Sequence, residues 1–150
     1  MLRNRPERRP PRRRVLLSLL APLAGLAAAC REELGPERFP TTTVSGKVLE
    51  GGQPVGGGWI EFFPVEGTIG KLRSARIRAD GTFEARGVAI GTNALRLVHA
   101  PIRMPGGARL FGSYATPLRR RISEHPEPPL EIELVEEALR YQAQVARGTQ

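Results

Sequence analysis

The chain has 150 residues and a formal charge of +8, from 23 basic and 15 acidic side chains. Seven of the basic groups and one acid lie in residues 1–30, so residues 31–150 keep 16 and 14, a net of +2. A body so nearly neutral exerts no long-range pull on phosphate, and Arg119-Arg120-Arg121 is too short to track a nucleic-acid backbone, so nucleic acid is not an expected partner.

Residues 1–14 hold seven arginines against Glu7, and Val15 to Cys30 follows without a charge. A basic stretch, an apolar run and small residues before a processing point form the pattern of a secretory signal, expected over residues 1–29. As a membrane span the run is short: sixteen residues give about 24 Å against a hydrocarbon core of about 30 Å. Pro22 and Gly25 weaken it further as a permanent helix.

Cys30, the chain's single cysteine, ends the apolar run. "LAAAC" (26–30) resembles the bacterial lipobox, in which small residues precede a cysteine that receives lipid and becomes the new N-terminus. Cleavage at Ala27-x-Ala29 is the alternative, and it leaves Cys30 as a spare thiol. A lone thiol in an exported protein cannot pair internally, which favours lipid attachment at Cys30. "RRRVLL" (12–17) resembles the twin-arginine export motif and leaves the export route open. The expected location is the bacterial cell envelope, in the periplasm or at the cell surface, with the membrane engaged through the lipid. "REELGPERFP" (31–40) is charged, holds two prolines and lacks periodicity, so residues 30–41 read as a lipidated start and flexible tether.

From Thr41 the period is two. "TVSGKVL" (43–49) and "WIEFF" (59–63) are rich in strand formers. "SARIRA" (74–79) sets Ala75, Ile77 and Ala79 on one face, "TFEARG" (82–87) Phe83 and Ala85, and "ALRLVH" (94–99) Leu95 and Leu97. "LRRRIS" (118–123) is the least patterned, and "PLEIELV" (129–135) alternates cleanly through Leu130, Ile132 and Leu134. Seven short strands with Gly- and Pro-rich turns predict an all-β, antiparallel sandwich over 42–136. Val135, Ala138, Leu139, Gln142, Ala143 and Ala146 recur at helical spacing, so 137–150 reads as a tail or short helix.

One turn can be read closely. In "RIRADGTFEA" (76–85) a two-residue loop at Asp80-Gly81 would bring Glu84 to the apolar face. A three-residue loop, Ala79-Asp80-Gly81, pairs Ile77 with Phe83 and Arg76 with Glu84 and places Gly81 in the left-handed position such loops need. The face pattern selects the three-residue loop.

"VSGKVLEGGQPVGGGWIEFFP", "IRADGTFEARGVAIGTNALRLV", "YATPLRRRI" and "LEIELV" together resemble the carboxypeptidase regulatory-like domains of bacterial surface proteins. The resemblance covers about Thr42 to Glu136 and implies a seven-stranded, transthyretin-like Greek-key sandwich. Gly46, Gly52, Pro54, Val55, Asp80, Gly81 and Phe83 match the pattern, and the resemblance implies structural roles for them in turns and core. A transthyretin-related hydrolase of 5-hydroxyisourate has a similar sandwich and a Tyr-Arg-Gly-Ser tail, to which "ARGTQ" (146–150) is loosely similar. That enzyme uses a histidine from an early strand, and this chain has none before His99.

Catalytic signals are few. His99 and His125 begin no zinc motif, "GTIGKL" (67–72) lacks the spacing and hydroxyl of a phosphate loop, and no GxSxG occurs. The expectation is a protein without catalysis, cofactor or metal. The place to look for recognition is "APIRMPGGARLFGSYATP" (100–117), eighteen residues without alternation. It carries Arg103, Arg109, Phe111 and Tyr114, residue types enriched at interfaces. The competing reading has Phe111 and Tyr114 closing the edge of the core while the arginines face water. The sequence therefore predicts a non-catalytic, envelope-anchored β-sandwich lipoprotein serving as a binding or structural module for a protein or carbohydrate partner. A transthyretin-like hydrolase and an accessory subunit of a membrane complex are the alternatives.

Overall fold

The computed structural model describes residues 39–148. The expected signal, the expected lipid-attachment residue Cys30 and residues 31–38 of the expected tether lie outside the described residues. Phe39 is half-buried, and the Pro40 carbonyl accepts the Ile90 N–H at 3.1 Å. Phe39, Pro40 and Thr41, the last three residues of the expected tether, therefore belong to the folded body.

The fold is mainly β, with a C-terminal helix. In chain order the described residues form β1 (Thr41–Glu50), β2 (Gln53–Pro54), β3 (Trp59–Pro64), β4 (Arg73–Arg76), β5 (Thr82–Ala89) and β6 (Gly91–Val98). A short helix α1 (Gly107–Gly112), β7 (Arg119–Ile122), β8 (Leu130–Glu133) and α2 (Leu134–Gly148) complete it. One sheet runs β2-β1-β5, with β8 also paired to β1; the other runs β4-β3-β6-β7. Each of the seven expected strands has its counterpart, and the two-residue β2 is an eighth.

The period-two pattern does what it predicts. Val44 and Val48 on β1, Phe83 and Ala85 on β5 and Ile132 on β8 point into one core. They meet Ile60 and Phe62 of β3, Leu95 and Leu97 of β6 and Ile122 of β7. The Phe62 and Phe83 rings, one from each sheet, lie 6.0 Å apart and tilted by 52°. Burying a side chain of this size contributes about 1.5–3 kcal/mol, so alternation along these strands is the main term that holds the sheets face to face.

Two pairings depart from expectation. β8 runs parallel to β1, with Gly46 opposite Leu130 and Leu49 opposite Glu133. The three-residue loop forms as read: the Arg78 N–H donates to the Thr82 carbonyl at 2.8 Å, the Gly81 N–H to the Arg78 carbonyl at 2.9 Å, and Gly81 has φ 82°. The expected partners of its flanking residues do not form. β4 pairs with β3, setting Arg76 against Trp59, while β5 pairs with β1, setting Glu84 against Ser45. The chain changes sheets at this turn. Ile77 and Phe83 are both buried all the same, so alternation is satisfied equally by a hairpin and by a crossing. Ala79, expected inward, sits in the loop and is exposed.

α2 forms, with a different face inward. It buries Leu134 and Glu137 and packs Ala138 on the core, while Val135 and Leu139 stay exposed. The helix follows β8 with no intervening loop. Leu134 completes the inward series Leu130, Ile132, Leu134, and that series fixes the phase of the first helical turn, after which i+3 and i+4 face the core. Glu137 accepts from Arg120 of β7 and, at 2.9 Å, from Arg140, so the carboxylate is satisfied where it is buried.

Candidate functional site

On β3 the even positions Ile60 and Phe62 are fully buried, so the odd positions Trp59, Glu61 and Phe63 take the outer face of the second sheet. Cross-strand register places Val98, Arg96 and Ala94 of β6 beside them in that order. Arg76 and Ser74 of β4 continue the first two rows, and Arg119 of β7 continues the third.

Glu61 and Arg96 are directly opposite and paired. Arg96 donates through Nε at 2.8 Å and through Nη2, and both bonds end on Glu61 Oε2, leaving Oε1 without a donor among the described residues. The two side chains are only 16–17% exposed. What covers them is Tyr114. Its ring lies over the Arg96 guanidinium at 3.8 Å and meets the Phe63 ring edge-on at 5.6 Å. A guanidinium against an aromatic face contributes about 0.5–2 kcal/mol, more as water is excluded. Tyr114 is still 62% exposed and Trp59 46% exposed. The outer face thus presents two exposed aromatic side chains, Tyr114 stacked on the shielded ion pair and Trp59 one row away.

The 100–117 segment brings Tyr114 to this position, and it is less irregular than its sequence implies. Glu50, at the end of β1, accepts the backbone N–H of Arg103 at 3.0 Å and of Met104 at 2.7 Å. α1 then forms and drives Phe111, fully buried, into the core. Thr116 is buried as well, and its hydroxyl accepts the Leu118 N–H at 3.2 Å as the chain enters β7.

The four residues proposed from sequence therefore separate. Phe111 is a core residue and is not available to a ligand. Arg103 and Arg109 have exposed side chains, Arg103 being held through its backbone and Arg109 lying on α1. Tyr114 alone joins the outer-face cluster, together with Trp59, Glu61, Phe63 and Arg96, which the sequence reading passed over. A signal for them exists in the residues between the apolar positions: Trp59 and Phe63 flank Glu61 on β3, and Arg96 lies between Leu95 and Leu97.

His99 follows β6 with φ 53° and is exposed, and His125 is exposed in the β7–β8 connection. Among the described residues no three His, Cys, Asp or Glu side chains stand close enough to hold a metal ion, and no helix is long and apolar enough to cross a membrane. Two side clefts are polar. One of about 420 Å³ runs between Thr42, Ser45 and His125, and one of about 280 Å³ lies between Arg119, Arg120, Arg140 and Tyr141. In the second, each guanidinium already donates to a protein acceptor.

Two carboxylates elsewhere are shifted. Asp80 is held below the ordinary carboxylate range by the Thr82 hydroxyl at 2.7 Å and then the Thr82 N–H at 3.0 Å. Burial pushes Glu133 up, but the N–H groups of Gly52, Gly51 and Val135 together outweigh it and the net shift is downward. Both groups stabilise turns. Compared with protein families, with curated proteins and with solved structures, the chain matches none of them.

Proposed function

We propose that this protein is a non-catalytic, envelope-anchored lipoprotein whose domain binds a partner through the outer face of the β4-β3-β6-β7 sheet. In this reading Cys30 carries the lipid, residues 31–38 form the tether, and the domain is a transthyretin-like sandwich of the carboxypeptidase regulatory-like kind. The observation that carries it is the pair of exposed aromatic side chains, Tyr114 stacked over the shielded Glu61–Arg96 pair and Trp59 in the next row. A large apolar surface left in water is more informative than a buried one, and aromatic and arginine side chains concentrate at binding faces. The lipobox-like "LAAAC" and the basic, apolar leader support the address.

The test has two parts. Cys30→Ser should move the protein from the detergent phase to the aqueous phase; a protein that stays aqueous with Cys30 intact overturns the anchor. Detergent-solubilised envelope retained on the immobilised full chain should be lost with Tyr114→Ala. Equal retention by Tyr114→Ala overturns the assignment of the face.

A further inference from the structure

We infer that this outer face binds an acidic polysaccharide, a chain of carboxylated pyranose rings, with Trp59 and Tyr114 as stacking surfaces. The inference rests on the binding-module reading and gives its ligand a chemical class.

A pyranose ring presents C–H groups on its two faces and hydroxyls around its rim. It is recognised by a flat aromatic surface combined with donors and acceptors set beside it, and both are present here. Trp59 and Tyr114 are both exposed: Tyr114 lies face-on over the Arg96 guanidinium and meets the Phe63 ring edge-on, and Trp59 stands in the row of Arg76 and Val98. Tyr114 lies over residues two to four positions along β3 from Trp59, a separation of about 7–14 Å along the strand, which suits successive rings of one chain rather than a single sugar. Beside Tyr114, Glu61 Oε1 accepts no hydrogen bond among the described residues, and the Ser74 hydroxyl lies in the same row as Glu61.

Charge selects the acidic class. Outward positions of the four strands carry Arg76, Arg96, Arg119 and Arg121 against Glu61, and among the described residues Glu66 pairs with Arg119 at 4.0 Å. Arg76 and Arg121 are exposed and form none of the ion pairs found among the described residues. Guanidinium forks suit carboxylates on a repeating chain. A protein partner fits less well, because protein interfaces place apolar groups at the centre and charges at the rim, whereas here the ion pair is central. A lipid surface fits less well because the exposed Arg76 and Arg121 stand on the same face as the rings, and inserting that face into hydrocarbon would desolvate them.

Trp59 is the only tryptophan in the chain, so its emission reports on this face directly. The full chain in detergent should be titrated with polyuronate, with dextran, with dextran sulfate and with phosphatidylglycerol vesicles. Polyuronate should change Trp59 emission with an affinity at least about tenfold above that for dextran. Tyr114→Ala and Arg76→Ala should each weaken binding about five- to tenfold in protein that still unfolds cooperatively, Tyr114→Ala at a modestly lower melting temperature, and Tyr114→Phe should restore binding. Emission changes with vesicles alone, or binding of dextran sulfate equal to that of polyuronate, overturn the inference in favour of a membrane face or of charge alone. Polyuronate binding that Tyr114→Ala leaves intact overturns it as well. If polyuronate fails while Tyr114→Ala still abolishes envelope retention, the ligand class falls and the binding-module reading stands; if neither responds, both fall.

Discussion

The Glu133 carboxylate accepts the Gly51 backbone N–H at 2.7 Å, across 82 residues of chain. The other oxygen takes the Gly52 N–H at 2.7 Å, and the first also accepts from Val135 at 3.2 Å, in the opening turn of α2. One side chain thus closes the β1–β2 turn and caps the helix that follows β8. Glu133→Ala should lower stability by about 1–2 kcal/mol through the loss of charge-assisted bonds and a cap. Because the folded-state pKa is depressed, this contribution is present above the ordinary carboxylate range and is lost as pH falls through the lowered value. Denaturant melts should therefore show a clear difference between parent and Glu133→Ala at pH 7 that narrows in strong acid; a difference independent of pH would contradict the assignment.

Gly81 combines φ 82° with a close approach. A Cβ there would come within 2.7 Å of the Val48 carbonyl oxygen, which is backbone and cannot rotate away. Gly81→Val should cost about 1–3 kcal/mol from the left-handed conformation, with the contact adding to it. Asp80→Ala loses the local bonds to Thr82 and should cost less. Thermal melts of both variants check the order, and a metal titration of the parent checks the turn role of Asp80. A metal-dependent rise in melting temperature that Asp80→Ala erases would overturn that role.

Gly46 tests the parallel pairing. A Cβ at this position would lie 2.2 Å from the Leu130 carbonyl oxygen and 2.6 Å from the Phe83 ring, because β8 passes directly against β1 there. Gly46→Ala should destabilise by about 1–3 kcal/mol. Amide exchange should quicken first in β8, at Leu130 to Glu133. Exchange that quickens only in β5 would point to Phe83 as the group that yields.

Glu137 and Glu136 are adjacent on α2 and differ in burial. Glu137, with a side chain 10% exposed, holds Arg120 and Arg140, while Glu136, 63% exposed, meets Arg140 alone at 3.1 Å. Glu137→Ala should cost about 1–3 kcal/mol, because the half-buried Arg120 loses its carboxylate and keeps only the Arg119 carbonyl, at 2.9 Å, as acceptor. Glu136→Ala should cost less than about 0.5 kcal/mol. Equal effects in urea melts would show that the helix docks without the ion pair.

Wherever local chemistry decided the outcome, the sequence was enough. Ile60 and Phe62, Leu95 and Leu97, and Leu130 and Ile132 alternate with polar or solvent-facing neighbours, and alternation constrains each strand irrespective of its partner. The three-residue loop at Ala79-Asp80-Gly81 was legible for a similar reason, since Gly81 alone tolerates the left-handed geometry that the face pattern demanded. Within 100–117 the pattern failed because Phe111 is a single apolar anchor on a six-residue helix, and one anchor has no period.

What the sequence by itself determined was which residues form strands, which side of each faces the core and where the chain turns. Partner choice came only with the tertiary structure, because a strand's inward face is equally buried whether its neighbour is hairpin-linked, parallel or in the other sheet. That is why β8 lies parallel to β1 and why β4 and β5 part company at Gly81. It is also why the phase of α2 was set by the strand before it and not by its own apolar stripe. The candidate site has the same origin. Trp59, Glu61, Arg96 and Tyr114 come from β3, β6 and the loop beyond α1, and only the register of β3 against β6 brings Glu61 to Arg96 beneath the Tyr114 ring.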